Sequence, residues 1–142
     1  MRKKIGLFIL FLILPGFLSL SHAAQASHSI RWQSWSLDVF KQAKKEHKLV
    51  LIFGKVSWCH WCQKMEGSTF PDPRVVELIH RSYVPIKVDL DEDAAVSSRY
   101  KITEIPSLIV LDEHNRELKR FYGYSSPQGV LRELGGLATQ YE

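Results

Sequence analysis

Leu49-Val50-Leu51-Ile52-Phe53-Gly54-Lys55-Val56-Ser57-Trp58-Cys59-His60-Trp61-Cys62 is the stretch that decides the fold. Its first five residues are an unbroken apolar run, the pattern of a strand covered on both faces as in a central or parallel sheet. Gly54 to Ser57 reads as a loop that runs into a helix. The two cysteines stand three apart at the first turn of that helix, and they are the only cysteines in the chain.

Outward from this centre the elements alternate. Upstream, Leu37, Val39, Phe40 and Ala43 fall on one helical face. Lys41, Lys44, Lys45 and Glu46 take the other, and Ser36 is expected to cap. Downstream, Asp72-Pro73 opens a helix with a capping carboxylate followed by proline at the first helical position, and Val75, Val76, Leu78 and Ile79 supply its apolar face. Tyr83 to Val88 reads as a second strand and Ala94 to Tyr100 as a short helix. Ser107 to Leu111 reads as a third strand. A turn at Glu113-His114-Asn115-Arg116 leads to a fourth, Glu117 to Tyr122, ended by Gly123. Ser126-Pro127 caps a last helix through about Ala138. A further strand is possible around Ile30 to Trp35, where Trp32 and Trp35 dock the N-terminal segment. Crossovers followed by a terminal hairpin indicate an α/β sandwich with a mixed sheet.

Composition agrees with one such domain. The chain has 142 residues, 45% of them apolar and 24% charged, which excludes a disordered or collagen-like chain. The formal charge is +4, but without Arg2, Lys3 and Lys4 the count is 16 basic against 15 acidic residues. The basic balance therefore belongs to the leader and argues for no nucleic-acid partner. After Arg2-Lys3-Lys4 comes an apolar stretch from Ile5 to Leu20, broken by Pro15-Gly16 and followed by small residues around Ala24-Gln25-Ala26. That is the pattern of a cleaved signal peptide over residues 1–26, ahead of a domain over 27–142. The stretch is short of the roughly 20 residues needed to span a bilayer, so an uncleaved anchor is the lesser alternative. The expected location is periplasmic or secreted, where a cysteine pair oxidises readily.

The Cys59–Cys62 spacing lets two sulfurs close a small ring. Cys59, near a helix N-terminus, is expected to ionise more readily because unpaired N–H groups and the macrodipole favour a thiolate. Cys62, one turn inside, is expected to be more buried. Cys59 then attacks a partner disulfide and Cys62 resolves the mixed disulfide. A purely structural disulfide is a poor alternative, since so short a loop removes little entropy from the unfolded chain. Zinc needs more ligands than two thiolates and His60, and Gln63 stands where a haem-attachment site needs histidine. Copper(I), content with two thiolates, remains the alternative from another class. A chaperone-like domain with an incidental dithiol is a third.

With Trp58-Cys59-His60-Trp61-Cys62 after a buried strand and Ile105-Pro106 before the third, the chain resembles the thioredoxin superfamily over about residues 32–138. It is similar to the branch that writes Ala43-Lys44-Lys45 before the strand, Met65-Glu66 after the dithiol, and Phe70-Pro71-Asp72-Pro73-Arg74-Val75. The resemblance implies a three-layer α/β/α sandwich around a mixed sheet, and thiol-disulfide exchange with protein substrates through mixed disulfides. It implies a redox partner such as a membrane electron donor or acceptor, and no organic cofactor or metal. It also implies that Pro106 is cis and faces the dithiol, with Ile105 offering backbone groups to an extended substrate. Trp58 and Trp61 are expected to form an apolar platform, and His60 to lower the Cys59 pKa.

Two departures from the family pattern stand out. The pair between the cysteines is His60-Trp61. The buried acid that many thioredoxins keep in the strand falls on Ile52 when one extra loop residue is allowed, leaving Lys55 and Glu66 as unranked alternatives for moving the proton of Cys62. No dimerisation element is visible, so a monomer is expected. The branch favours reduction, placed first, while His60 and the missing acid favour oxidation.

Overall fold

A computed structural model describes residues 28–141. The expected signal segment, residues 1–26, lies outside the described residues. Helix α1 (Asp38–Glu46) leads into β1 (Leu49–Lys55), then α2 (His60–Lys64), a π-helical turn (Met65–Thr69) and α3 (Pro73–Ser82). β2 (Tyr83–Asp89), α4 (Ala94–Arg99), β3 (Ser107–Leu111), β4 (Glu117–Tyr122) and α5 (Pro127–Tyr141) follow.

The sheet order is β2-β1-β3-β4. β1 pairs parallel with β2, Leu49 opposite Tyr83, and antiparallel with β3, Gly54 opposite Ser107. The mixed sheet expected from the sequence is therefore present. β1 is central and every residue from Leu49 to Gly54 is buried. Alternation sorts its side chains. Leu49, Leu51 and Phe53 join a core with Val75, Ile79, Val130, Leu134 and both cysteines, while Val50 and Ile52 join a second core with Val39, Phe40 and Ala43 of α1. Helices α3 and α5 thus cover one face and α1 the other, giving three layers. Among the described residues no helix is long and apolar enough to cross a membrane.

Several local expectations meet their residues. Asp72 accepts from the Arg74 N–H at 2.9 Å and Pro73 occupies the first helical position of α3. Asn115 takes the left-handed conformation at φ 62° in the β3–β4 turn, which suits an asparagine. Its Oδ1 accepts from the Tyr100 hydroxyl at 2.9 Å, and that hydroxyl accepts from the Trp35 indole at 3.0 Å. The same turn is held by Asp112, almost fully buried. Its carboxylate accepts from the His114 and Arg116 backbone N–H groups at 2.9 and 2.8 Å and from the Arg116 guanidinium at 2.6 Å. Burial alone would raise its pKa, but these donors outweigh burial and hold it below the ordinary value.

Other expectations need correction. Ser36 does not cap α1: Leu37 is the N-cap residue, with no side-chain cap bond, and the Ser36 carbonyl accepts from the Val39 N–H instead. The segment around Ile30 to Trp35 is one parallel bridge, Gln33 to Ile86, rather than a full strand. Asp93 is the N-cap residue of α4, with no side-chain cap bond, and its backbone carbonyl accepts from the Val96 and Ser97 N–H groups. Helix α5 runs three residues past Ala138. Ile52 faces the α1 layer, so the strand position on the dithiol side is Phe53. The extra loop residue had shifted the parity by one, which on a strand changes the face.

Candidate active site

The loop from Val56 to Trp58 sits at the end of β1 where β2 also ends and β3 begins. It is closed by the Cys59 N–H donating to the Val56 carbonyl at 3.3 Å and by the Gln63 side chain donating to the Ser57 carbonyl at 2.7 Å. Cys59 is the N-cap residue of α2, in extended backbone, and its Sγ accepts from the Cys62 N–H at 3.2 Å. The two cysteines form a disulfide with Cα atoms 5.2 Å apart. Cys62 is fully buried and Cys59 is 9% exposed, so of the two sulfurs the first is nearer solvent. A Cys59 thiolate in this place would face backbone N–H groups that the helix itself leaves without partners.

Helix α2 is extended by the π turn, in which the Phe70 N–H reaches the Met65 carbonyl at 2.9 Å. Met65 and Thr69 are buried, and the Thr69 hydroxyl donates to the Ser125 carbonyl at 2.7 Å, binding the dithiol helix to the segment before α5. Sequence periodicity does not reveal this turn, because an i→i+5 bond leaves no repeating pattern over five residues.

Pro106 is buried and its peptide bond with Ile105 is cis. Ser107, the next residue, pairs with Gly54, which places Pro106 at the same end of the sheet as the dithiol loop. Ile105, half-buried, packs on the core that contains both cysteines. Trp58 is 71% exposed, with its indole N–H on the Asp91 carboxylate at 3.0 Å. Trp61 is 50% exposed and lies 5.5 Å from the rings of His60 and Tyr124. The Lys64 ammonium sits 5.0 Å over Trp61 and 4.9 Å over Tyr124, a cation held between two aromatic faces. All seven residues singled out in the sequence therefore gather at one end of the sheet.

Asp91, Lys64 and Tyr124 belong to the same surface and were not found in the sequence. Asp91 lies in an acidic run that reads as a solvated turn. Tyr124 stands alone between a strand end and a helix cap, where no period marks it. The candidate proton carriers can now be ranked. Lys55 is paired with Asp89 at 3.4 Å, both little exposed. Glu66, four residues after Cys62, is paired with Lys87 at 2.7 Å, and Lys87 also lies 5.5 Å over the Trp32 ring. Lys87 is the β2 partner of Phe53, so this ion pair belongs to the dithiol face of the sheet. Among the described residues no three His, Cys, Asp or Glu side chains converge as a metal site.

The family model Thioredox_DsbH, described as "Protein of unknown function, DUF255", matches residues 18–107. Rat Spermatogenesis-associated protein 20 is 32% identical over 75 residues, covering 53% of this chain and 10% of that protein, so the chain spans a tenth of that relative's length. The Disulfide bond reductase DsbH of Chlamydia pneumoniae is 22% identical over 107 residues, covering 67% of this chain and 64% of that one. A solved structure described as DsbH Oxidoreductase superposes with a TM-score of 0.68 at 20% identity, covering 82% of this chain and 89% of the other, a likeness of fold.

Proposed function

The chain belongs to the Thioredox_DsbH family of the thioredoxin superfamily, and from that premise we propose that it is a protein thiol-disulfide oxidoreductase that reduces disulfides of exported proteins. The observation that carries the reading is the pairing of Cys59, at the α2 N-cap, with the fully buried Cys62 one turn on. In the reduced protein the Cys59 thiolate attacks one sulfur of a partner disulfide and expels the other as a thiolate. Cys62 then attacks the Cys59 sulfur, releases the second partner thiolate, and leaves the 59–62 disulfide. Two electrons pass to the partner, and a dithiol donor, by this reading a membrane protein, returns them. Trp58, His60, Trp61, Ile105 and Pro106 form the surface that receives the substrate chain. Residues 1–26 are the export signal, residues 27–142 are the working domain, and the domain acts as a monomer.

The test is the reduction potential of the Cys59–Cys62 pair, equilibrated against glutathione and dithiothreitol buffers. The reductase reading expects about −250 mV or lower. A value of about −120 to −180 mV would reverse the direction to oxidation. Failure of the pair to form a disulfide would overturn redox function and favour copper(I).

Cys62 has to lose its proton before it resolves the mixed disulfide. Glu66 is proposed to take that proton directly or through one water, since it is a carboxylate one helical turn from Cys62 and its partner Lys87 stands opposite Phe53 on the dithiol face of the sheet. Glu66→Gln is expected to slow resolution by about tenfold or more and to flatten its rise with pH. Stopped-flow turnover of a preformed mixed disulfide reads both. An unchanged pH profile would remove Glu66 from the mechanism.

A further inference from the structure

At the end of the sheet remote from the dithiol, the last turns of α1, α3 and α5 and the β3–β4 turn line an open pocket of about 350 Å³. Leu49, the first residue of β1, lines it, while Lys55 at the other end of the strand leads to the dithiol loop. At about 3.3 Å per residue the two ends lie about 20 Å apart, so this pocket is no part of the exchange site.

Its wall is cationic. Lys44, Lys48, Arg81 and the imidazole of His47 line it against one carboxylate, Glu113. Glu113 is engaged by His114 at 3.3 Å, and Lys48 is shared with Glu46 at 2.8 Å. Lys44 and Arg81 have no ion-pair partner among the described residues. Cations in a last helical turn are commonly explained by the free carbonyls there. That account is weakened at α1, because the Ala43 and Lys44 carbonyls already accept from the His47 and Lys48 N–H groups. Ser82 lines the same pocket, but its Oγ is closed to solvent and does not itself meet a ligand there.

We propose that this pocket is a binding site for a phosphate-type anion, held by the Lys44 and Arg81 side chains with Lys48 and His47 at its rim. Two sources share that chemistry, a soluble phosphate and a phospholipid headgroup.

The test uses the full chain. Inorganic phosphate and pyrophosphate are titrated by calorimetry, and vesicles of phosphatidylcholine with and without phosphatidylglycerol are tested by co-sedimentation. Arg81→Gln and Lys44→Gln are each expected to weaken binding about tenfold, while Lys119→Gln removes the same charge elsewhere and leaves it unchanged. Disulfide exchange, measured on all three, is expected to match the parent and shows that they are folded. Binding of soluble phosphate assigns the soluble source, and binding only to phosphatidylglycerol vesicles assigns the headgroup. Binding of neither, or an equal loss in the Lys119 control, overturns the site.

Discussion

A Cys62→Ala protein is expected to accumulate covalently bound partners through Cys59, and a Cys59→Ser protein to accumulate none. The reason is the difference in position of the two sulfurs. Cys59 caps α2 and keeps a small opening to solvent, 9% exposed, through which it can attack, while Cys62 is fully buried and meets no partner before Cys59 has engaged one. Removing the attacker should lower the exchange rate on the order of a thousandfold or more, because a residue that forms the covalent intermediate has no substitute nearby. Removing the resolver should stop the cycle one bond later, with the mixed disulfide intact. Non-reducing electrophoresis of extracts from an exported compartment, followed by reduction of the captured bands, distinguishes the two. Equal capture by both variants, or none by either, would refute the assignment of attacker and resolver.

Phe53→Ala is expected to destabilise the domain by about 3–5 kcal/mol, a large share of the stability of a domain this size. Phe53 is fully buried at the centre of three rings, 5.6 Å from Trp32 and 4.8 Å from Phe70, with Trp32 and Phe70 themselves 5.0 Å apart. Trp32 comes from the N-terminal segment, Phe70 from the end of the π turn and Phe53 from the central strand. Loss of one ring therefore loosens three pieces of chain at once. The melting midpoint should fall by about 10–20 °C. A urea midpoint that moves by less than the equivalent of about 1 kcal/mol would show that the neighbouring rings collapse to fill the space.

How far the sequence could be read depended on the range of the interaction. β1, β3 and β4 were legible because an apolar run or an alternation bounded by turn residues needs no distant partner to be recognised. Cys59, Cys62 and Pro106 were legible because their chemistry is rare and their spacing local. The parity of Phe53 and Ile52 was not, because an insertion in the loop after a strand moves the count by one and nothing inside the strand corrects it. The π turn was missed for lack of a period. Lys64 lying between Trp61 and Tyr124 was missed for a different reason. Tyr124 is sixty residues from the other two, and only the docking of α5 behind the dithiol helix, with Thr69 bonded to Ser125, brings it there.

The bridge at Gln33 bears on how the protein behaves in a crowded solution. A sheet whose outer strand shows a row of free amides and carbonyls invites a neighbouring molecule to extend it. Here the outer side of β2 is already spoken for: the Gln33 N–H takes the Pro85 carbonyl at 2.9 Å and the Gln33 carbonyl takes the Lys87 N–H at 3.0 Å. Pro85 itself has no amide hydrogen to offer. Two bonds and one proline thus close that border of the sheet to self-association. The opposite border, β4, has no strand beyond it among the described residues but carries Glu117, Lys119 and Arg120, whose charges discourage a second copy from pairing there. A chain that loses residues 28–35 would lose this guard and Trp32 of the ring cluster together, so it should both melt lower and aggregate more readily than the parent.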